Sequence, residues 1–191
     1  LVPDCDTRWL SVLPVIAFAG IGRPEKAFAT IRNSGARVIA MVGSADKAGI
    51  ARARGADEVV LYRERDFREA VMAFTAGRGV DVVYDAVGKD TIARSIRSVR
   101  RRGLCVNYGG ASGLVQSIEP LELGEAGSIF FTRPHLADYT ASAEEIAWRT
   151  GDLFDACAKG ELTVVIDQEY PLAEAAAAHA RLEARGTRGK L

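Results

Sequence analysis

The chain has 191 residues, 48% of them hydrophobic and 26% charged, with 25 acidic side chains balancing 25 basic ones. That suits one ordinary domain or one domain with an arm, and the balanced charge gives no reason to expect nucleic acid or an anionic membrane as partner. No apolar run reaches the roughly 18–20 residues of a membrane span, and VLPVIAFAGI at 12–21 lacks the basic start and cleavage pattern of a signal peptide.

Three cysteines, Cys5, Cys105 and Cys157, are far apart, and none forms a C-x-x-C pair. His135 and His179 are the two histidines, so no ligand set has zinc spacing. These counts point to a reduced, cytoplasmic protein without a metal.

Residues 1–13, LVPDCDTRWLSVL, have no clear period and are expected to form an arm. A domain follows over 14–191. PVIAFA (14–19) is an apolar run ending at a glycine, and Pro24 suits the first turn of a helix. ARVIAMV (36–42) reads as the second strand. Ser44 then caps a helix that Gly55 stops near Arg54. EVVLY (58–62) is the third strand. Asp66 and Glu69 have capping-box spacing, and Phe67, Val71 and Phe74 give the next helix one apolar face. VDVVYDA (80–86) is the fourth strand, a helix covers about 90–100, and GLCVNYG (103–109) is the fifth strand. YGGASG (108–113) reads as a loop and SIFFTR (128–133) as a sixth strand. Ser142 and Glu145 open a helix ending near Gly160. ELTVVID (161–167) reads as a last strand, and PLAEAAAAHARLEAR (171–185) as a helix on alanine content. Strands rich in Val and Ile that alternate with helices imply an α/β fold. The expected form is a doubly wound parallel sheet, Rossmann-like, in three layers, binding ligands beyond the carboxyl ends of its strands.

Gly20-Ile21-Gly22 lies where such a sheet brings backbone N–H groups to a pyrophosphate, although the full G-x-G-x-x-G spacing is absent. The end of the second strand is more telling. An NAD site usually has an acid there for the ribose 2'-hydroxyl. This chain has Val42-Gly43-Ser44-Ala45-Asp46-Lys47. A hydroxyl, amides at a helix start and a lysine one turn on suit a 2'-phosphate. Tyr62 and Arg63 close the neighbouring strand. The bland reading of the same residues is a helix cap and a solvated lysine. Arg97, Arg100, Arg101 and Arg102 read as a solvated helix end, and no residue is assigned a catalytic role.

From GARVIAMVGSADKAGIARARGADEVV onward, residues 35–191 resemble the cofactor half of the zinc-free NADPH:quinone oxidoreductases of the medium-chain reductase superfamily. GRGVDVVYDAVGKDT (77–91), RGLCVNYGGASG (102–113), FFTRPHLADY (130–139) and YPLAEAAAAHARLEARGTRGKL (170–191) carry the same resemblance. It implies NADP(H) as cofactor, with Ser44, Lys47 and Tyr62 at the adenosine 2'-phosphate. It places loops such as Asp85-Ala86-Val87-Gly88 and Gly109-Gly110-Ala111-Ser112 along the nicotinamide half. It also implies a homodimer through 128–133. The family's substrate domain has no counterpart here.

Residues 14–34, PVIAFAGIGRPEKAFATIRNS, instead resemble a segment of the lipid A 4'-kinases (tetraacyldisaccharide kinases). That family's G-x-x-x-x-G-K-[ST] motif is nowhere in the chain, so kinase activity is not expected. The seam lies near Gly35. Two functional expectations follow. One is an NADP(H)-binding oxidoreductase domain, weak or inactive alone. The other is an engineered or recombined chimera, a folded scaffold with no activity.

Overall fold

The computed structural model describes residues 15–18 (main chain only), 36–184, 187 and 189–191. The arm at 1–13, the seam and Gly20-Ile21-Gly22 lie outside the described residues. The chain falls into two compact units, Leu1–Ala141 and Ser142–Leu191.

In the first unit, β1 (Val15–Phe18), β2 (Val38–Val42), β3 (Glu58–Leu61), β4 (Val80–Asp85), β5 (Val99–Asn107) and β6 (Phe130–Thr132) form one sheet in the order β3-β2-β1-β4-β5-β6. Every pairing is parallel. β1 lies between β2 and β4. The strand order reverses at that point, so the crevice beyond the carboxyl ends of β1 and β4 is where such a sheet receives ligands.

Side-chain alternation splits the strands between two cores. Ile39, Met41, Val60, Val83 and Cys105 face one side, where α2 (Phe67–Phe74) and α3 (Ile92–Ser98) cover them with Phe67, Val71, Ile92 and Ile96. Val38, Ala40, Val42, Val59 and Val82 face the other, where α1 (Ala45–Ala53) adds Ala48 and Ala51. All five residues of β2 are buried. Hence its sequence is a continuous apolar run and not an alternating one. The three layers follow directly.

Asp66 does cap α2, but its Oδ1 accepts from the Arg68 amide at 2.8 Å and not from that of Glu69, the partner that capping-box spacing implies. β5 begins at Val99, earlier than the expected 103, directly after α3. The helix does not continue through Arg100–Arg102, because Arg100 is drawn in to Asp81 and Arg102 turns to φ +54° with its amide donating to Gly127 O at 2.9 Å. Gly103 fits there without a side chain: a Cβ would lie 2.5 Å from Val99 Cγ1 and 2.8 Å from Asp81 O. A short helix, α4 (Pro120–Glu125), precedes β6 and has no sequence counterpart above.

The second unit holds α5 (Ala143–Ala158) and α6 (Ala175–Glu183). Ser142 Oγ caps α5 by accepting from the Glu145 amide at 3.1 Å. The expected strand at 161–167 is absent. Ile166 makes one isolated parallel bridge to Lys190, and among the described residues the β-rich composition of ELTVVID finds no partner strand. Arg181 and Asp167 form an ion pair at 2.8 Å in this unit.

Candidate functional site

Three features gather at the carboxyl ends of the strands. The first is the end of β2. Gly43 and Ser44 turn the chain out of β2, and Ser44 takes the N-cap position of α1 with extended φ −157° and ψ 156°. Its hydroxyl makes no capping hydrogen bond. Ser44 is thus the N-cap by position, while its hydroxyl is not what caps the helix. The Lys47 amide donates to Ser44 O at 3.2 Å, which closes the first turn and puts Lys47 one turn beyond the serine. Tyr62 follows β3, and its amide donates to Val42 O at 3.2 Å, which ties it to the end of β2. A Cβ on Gly43 would lie 3.4 Å from Tyr62 Oη and 3.5 Å from Arg63 Nε. A side chain at 43 would thus fill the space in front of these two. The structure brings Gly43, Ser44, Lys47, Tyr62 and Arg63 to one end of the sheet. It leaves a half-buried hydroxyl uncommitted there, with no acid at 42–44. Asp46, in the first turn of α1, is the nearby negative charge.

The second feature is the carboxylate of Asp85, which the sequence marked only as part of the loop Asp85-Ala86-Val87-Gly88. Asp85 ends β4 fully buried. Its Oδ1 accepts from the amides of Val87 at 2.8 Å and Gly88 at 2.9 Å. Its Oδ2 accepts from the hydroxyls of Thr91 at 2.8 Å and Ser95 at 2.7 Å. Four neutral donors converge on one carboxylate, so its hydrogen-bonding capacity is largely met within the fold. Val87 and Gly88, expected along a nicotinamide, are buried, and their amides are spent on Asp85. Val87 O accepts from Ser112 Oγ at 2.8 Å, and the Lys89 amide donates to Gly113 O at 3.1 Å. Loops 85–89 and 109–113 are therefore stitched together. Gly88 sits at φ +87°, and a Cβ on it would lie 2.7 Å from Gly113 O. Its role is backbone packing. An acid closing an apolar strand, with Thr and Ser at the start of the next helix, is the sequence signal that would have found this knot.

Burial, aided by the Asp85 charge, pushes the Cys105 thiol up to about 12. Burial, Asp85 and Tyr84 also push Tyr108 up, and burial alone raises Tyr84. None of the three is poised for acid–base work near neutral pH.

The third feature is a cleft of about 620 Å³ past the ends of β5 and β6, with Asn107, Phe131 and Arg133 among its lining. His135 also lines it and has no acid or nucleophile beside it in the hydrogen-bond pattern. Among the described residues, no group of three or more His, Cys, Asp or Glu could hold a metal ion. No helix among them is long and apolar enough to cross a membrane.

The family model for zinc-binding dehydrogenases matches residues 54–191. The 2-haloacrylate reductase of a Burkholderia species is 44% identical over 161 residues, which cover 84% of this chain and 48% of that protein. Quinone oxidoreductase 1 of Escherichia coli K12 is 42% identical over 157 residues, covering 81% and 48%. The chain thus spans about half the length of these relatives. The crystal structure of Escherichia coli quinone oxidoreductase complexed with NADPH superposes with a TM-score of 0.86 at 38% identity, over 92% of this chain and 55% of that one. Quinone oxidoreductase of Pseudomonas syringae gives 0.87 at 36% identity, over 93% and 55%.

Proposed function

This chain belongs to the zinc-binding dehydrogenase family, and from that premise we propose that it is the NADP(H)-binding domain of a quinone oxidoreductase-like protein. The observation that carries the reading is the cradle at the end of β2. Ser44 offers a hydroxyl that caps nothing, Gly43 leaves space before Tyr62 and Arg63, and no acid stands at 42–44 to repel a phosphate. Ser44, Lys47 and Tyr62 would hold the adenosine 2'-phosphate, and Gly20, Ile21 and Gly22 the pyrophosphate. Val87 and Gly88 would shape the floor beside the nicotinamide through a backbone that Asp85 holds rigid. NADPH, when bound, supplies a hydride from its nicotinamide; the protein's part is to bind and orient it. Hydride transfer by these residues alone is expected to be weak or absent, since the chain spans 48% of its relatives' length.

Titration with NADPH and NADH, followed by nicotinamide fluorescence, tests this. Saturable binding with NADPH preferred supports it; equal affinity, or none at millimolar cofactor, contradicts it.

A second reading is a recombined or engineered chimera that folds and does nothing. The resemblance of 14–34 to a different family favours it. The pairing of β1 with both β2 and β4 is compatible with either reading. We further propose a homodimer through 128–133: β6 is an edge of the sheet, and Phe130 is 65% exposed on it.

A further inference from the structure

We propose that the cavity between α1 and the free edge of β3 is a binding site for an aliphatic monocarboxylate, held at its head by Arg52 and Arg65. The cavity measures about 360 Å³, toward the lower end of the roughly 300–1,000 Å³ of small-molecule sites. Ala45 and Ala48 from α1 and Val59, Val60 and Leu61 from β3 make its apolar wall. Two alanines three apart on one helix face leave open the space that longer side chains would fill. Among the described residues no aromatic ring lines the cavity, so an alkyl chain suits it better than a stacked ring system.

Charge at the rim chooses the head group. Arg52 and Arg65 both line the cavity with exposed side chains, and neither makes a hydrogen bond or ion pair among the described residues. α1 runs back against the strand direction, and helical side chains lean toward the helix N-terminus. Arg52 therefore leans toward the end of β3, beyond which Arg65 stands. β3 is an edge of the sheet. The Tyr62 amide turns inward to Val42 O, so by strand alternation the Leu61 amide faces the free side. Leu61 O is already taken by the amides of Glu64 and Arg65, each at 3.0 Å. Two guanidiniums and one edge N–H thus stand at one cavity as donors, and a carboxylate supplies the acceptor for them. Among the described residues Glu64 is the one acid on the lining, and it opposes a second negative charge, which favours a monocarboxylate over a dicarboxylate. Lys47 lies at least about 100° round α1 from Ala45, Ala48 and Arg52, so this site is separate from the cradle proposed for a 2'-phosphate.

The test is calorimetric titration with octanoate, beside 1-octanol, which has the same chain and no charge, and suberate, which adds a second carboxylate. The expected result is saturable binding of octanoate, about tenfold tighter than 1-octanol and tighter than suberate. Arg52→Gln and Arg65→Gln together, both at exposed positions, should bring octanoate to the level of 1-octanol. In amide NMR spectra octanoate should shift Leu61, Glu64 and Arg65 and leave Asn107 unmoved. If the double variant does not fold, these shifts and the ligand series decide alone. Equal affinity for octanoate and 1-octanol, no saturable binding, suberate as tight as octanoate or tighter, a preference that survives the double variant, shifts centred elsewhere, or displacement of octanoate by 2',5'-ADP would each overturn the proposal.

Discussion

Asp81→Asn is the substitution whose consequence the structure fixes best. Asp81 opens the main run of β4 with its side chain 1% exposed. It accepts two hydrogen bonds from Arg78, at 2.7 and 2.8 Å, and one from Arg100 Nε. Burial alone would raise its carboxyl; the hydrogen bonds and charges of the two arginines outweigh that and hold it below the usual carboxylate range. A fully buried pair costs about 3–5 kcal/mol to break, and an exposed one under about 1 kcal/mol. The arginines are 45% and 30% exposed and can turn to water, so the expected loss is nearer ~2 kcal/mol. For a chain of this size that is roughly 4–8 °C in Tm. The folded pKa is depressed, so the carboxylate's contribution is complete above the unfolded value near 4 and is lost as pH falls through the folded value. Urea unfolding followed by circular dichroism at pH 7, 5, 3 and 2 should show a wild-type advantage that is constant from pH 7 to 5 and shrinks below pH 4. An advantage that persists unchanged at pH 2, or none at pH 7, would refute the reasoning.

Three further outcomes are expected. Asp85→Asn turns an amide N–H₂ toward donors that need an acceptor, and should cost about 3 kcal/mol, checked by the same urea unfolding. It should also speed hydrogen exchange at the Val87 and Gly88 amides. Cys105, fully buried with its thiol pushed up to about 12, should stay unmodified by a thiol reagent at pH 8 until the protein is unfolded, as mass spectrometry of peptides would read. If the β6 edge joins two copies, light scattering at micromolar concentration should give the mass of a dimer, and Phe130→Lys that of a monomer; a wild-type monomer would count against it.

Much of the sheet was legible because parallel strands buried on both faces write themselves as short Val/Ile runs. Hence 14–19, 36–42 and 80–86 could be read as strands of one parallel sheet. Errors arose where tertiary partners overrode local pattern. Arg100–Arg102 looked like a solvated helix end, yet Asp81 and Gly127 O draw that stretch into β5. ELTVVID has strand composition, but a strand needs a neighbour, and Ile166 alone makes a bridge. At the candidate site, Gly43, Ser44, Lys47 and Tyr62 were legible because they follow two strands that must lie side by side. The part played by the Asp85 carboxylate, and Asn107 altogether, went unread because their partners come from other segments: Ser95 lies on the next helix, and Asn107 reaches back to the end of β4.

If the end of β2 holds a 2'-phosphate as proposed, 2',5'-ADP addresses it without the nicotinamide half. Calorimetry should show 2',5'-ADP binding more tightly than 5'-AMP by about ten- to a hundredfold, the worth of a charge-assisted contact of roughly 1.5–3 kcal/mol. Lys47→Ala should bring the two to nearly equal affinity while leaving 5'-AMP unchanged. Equal affinity in the wild-type protein, or a preference that survives Lys47→Ala in full, would contradict the account.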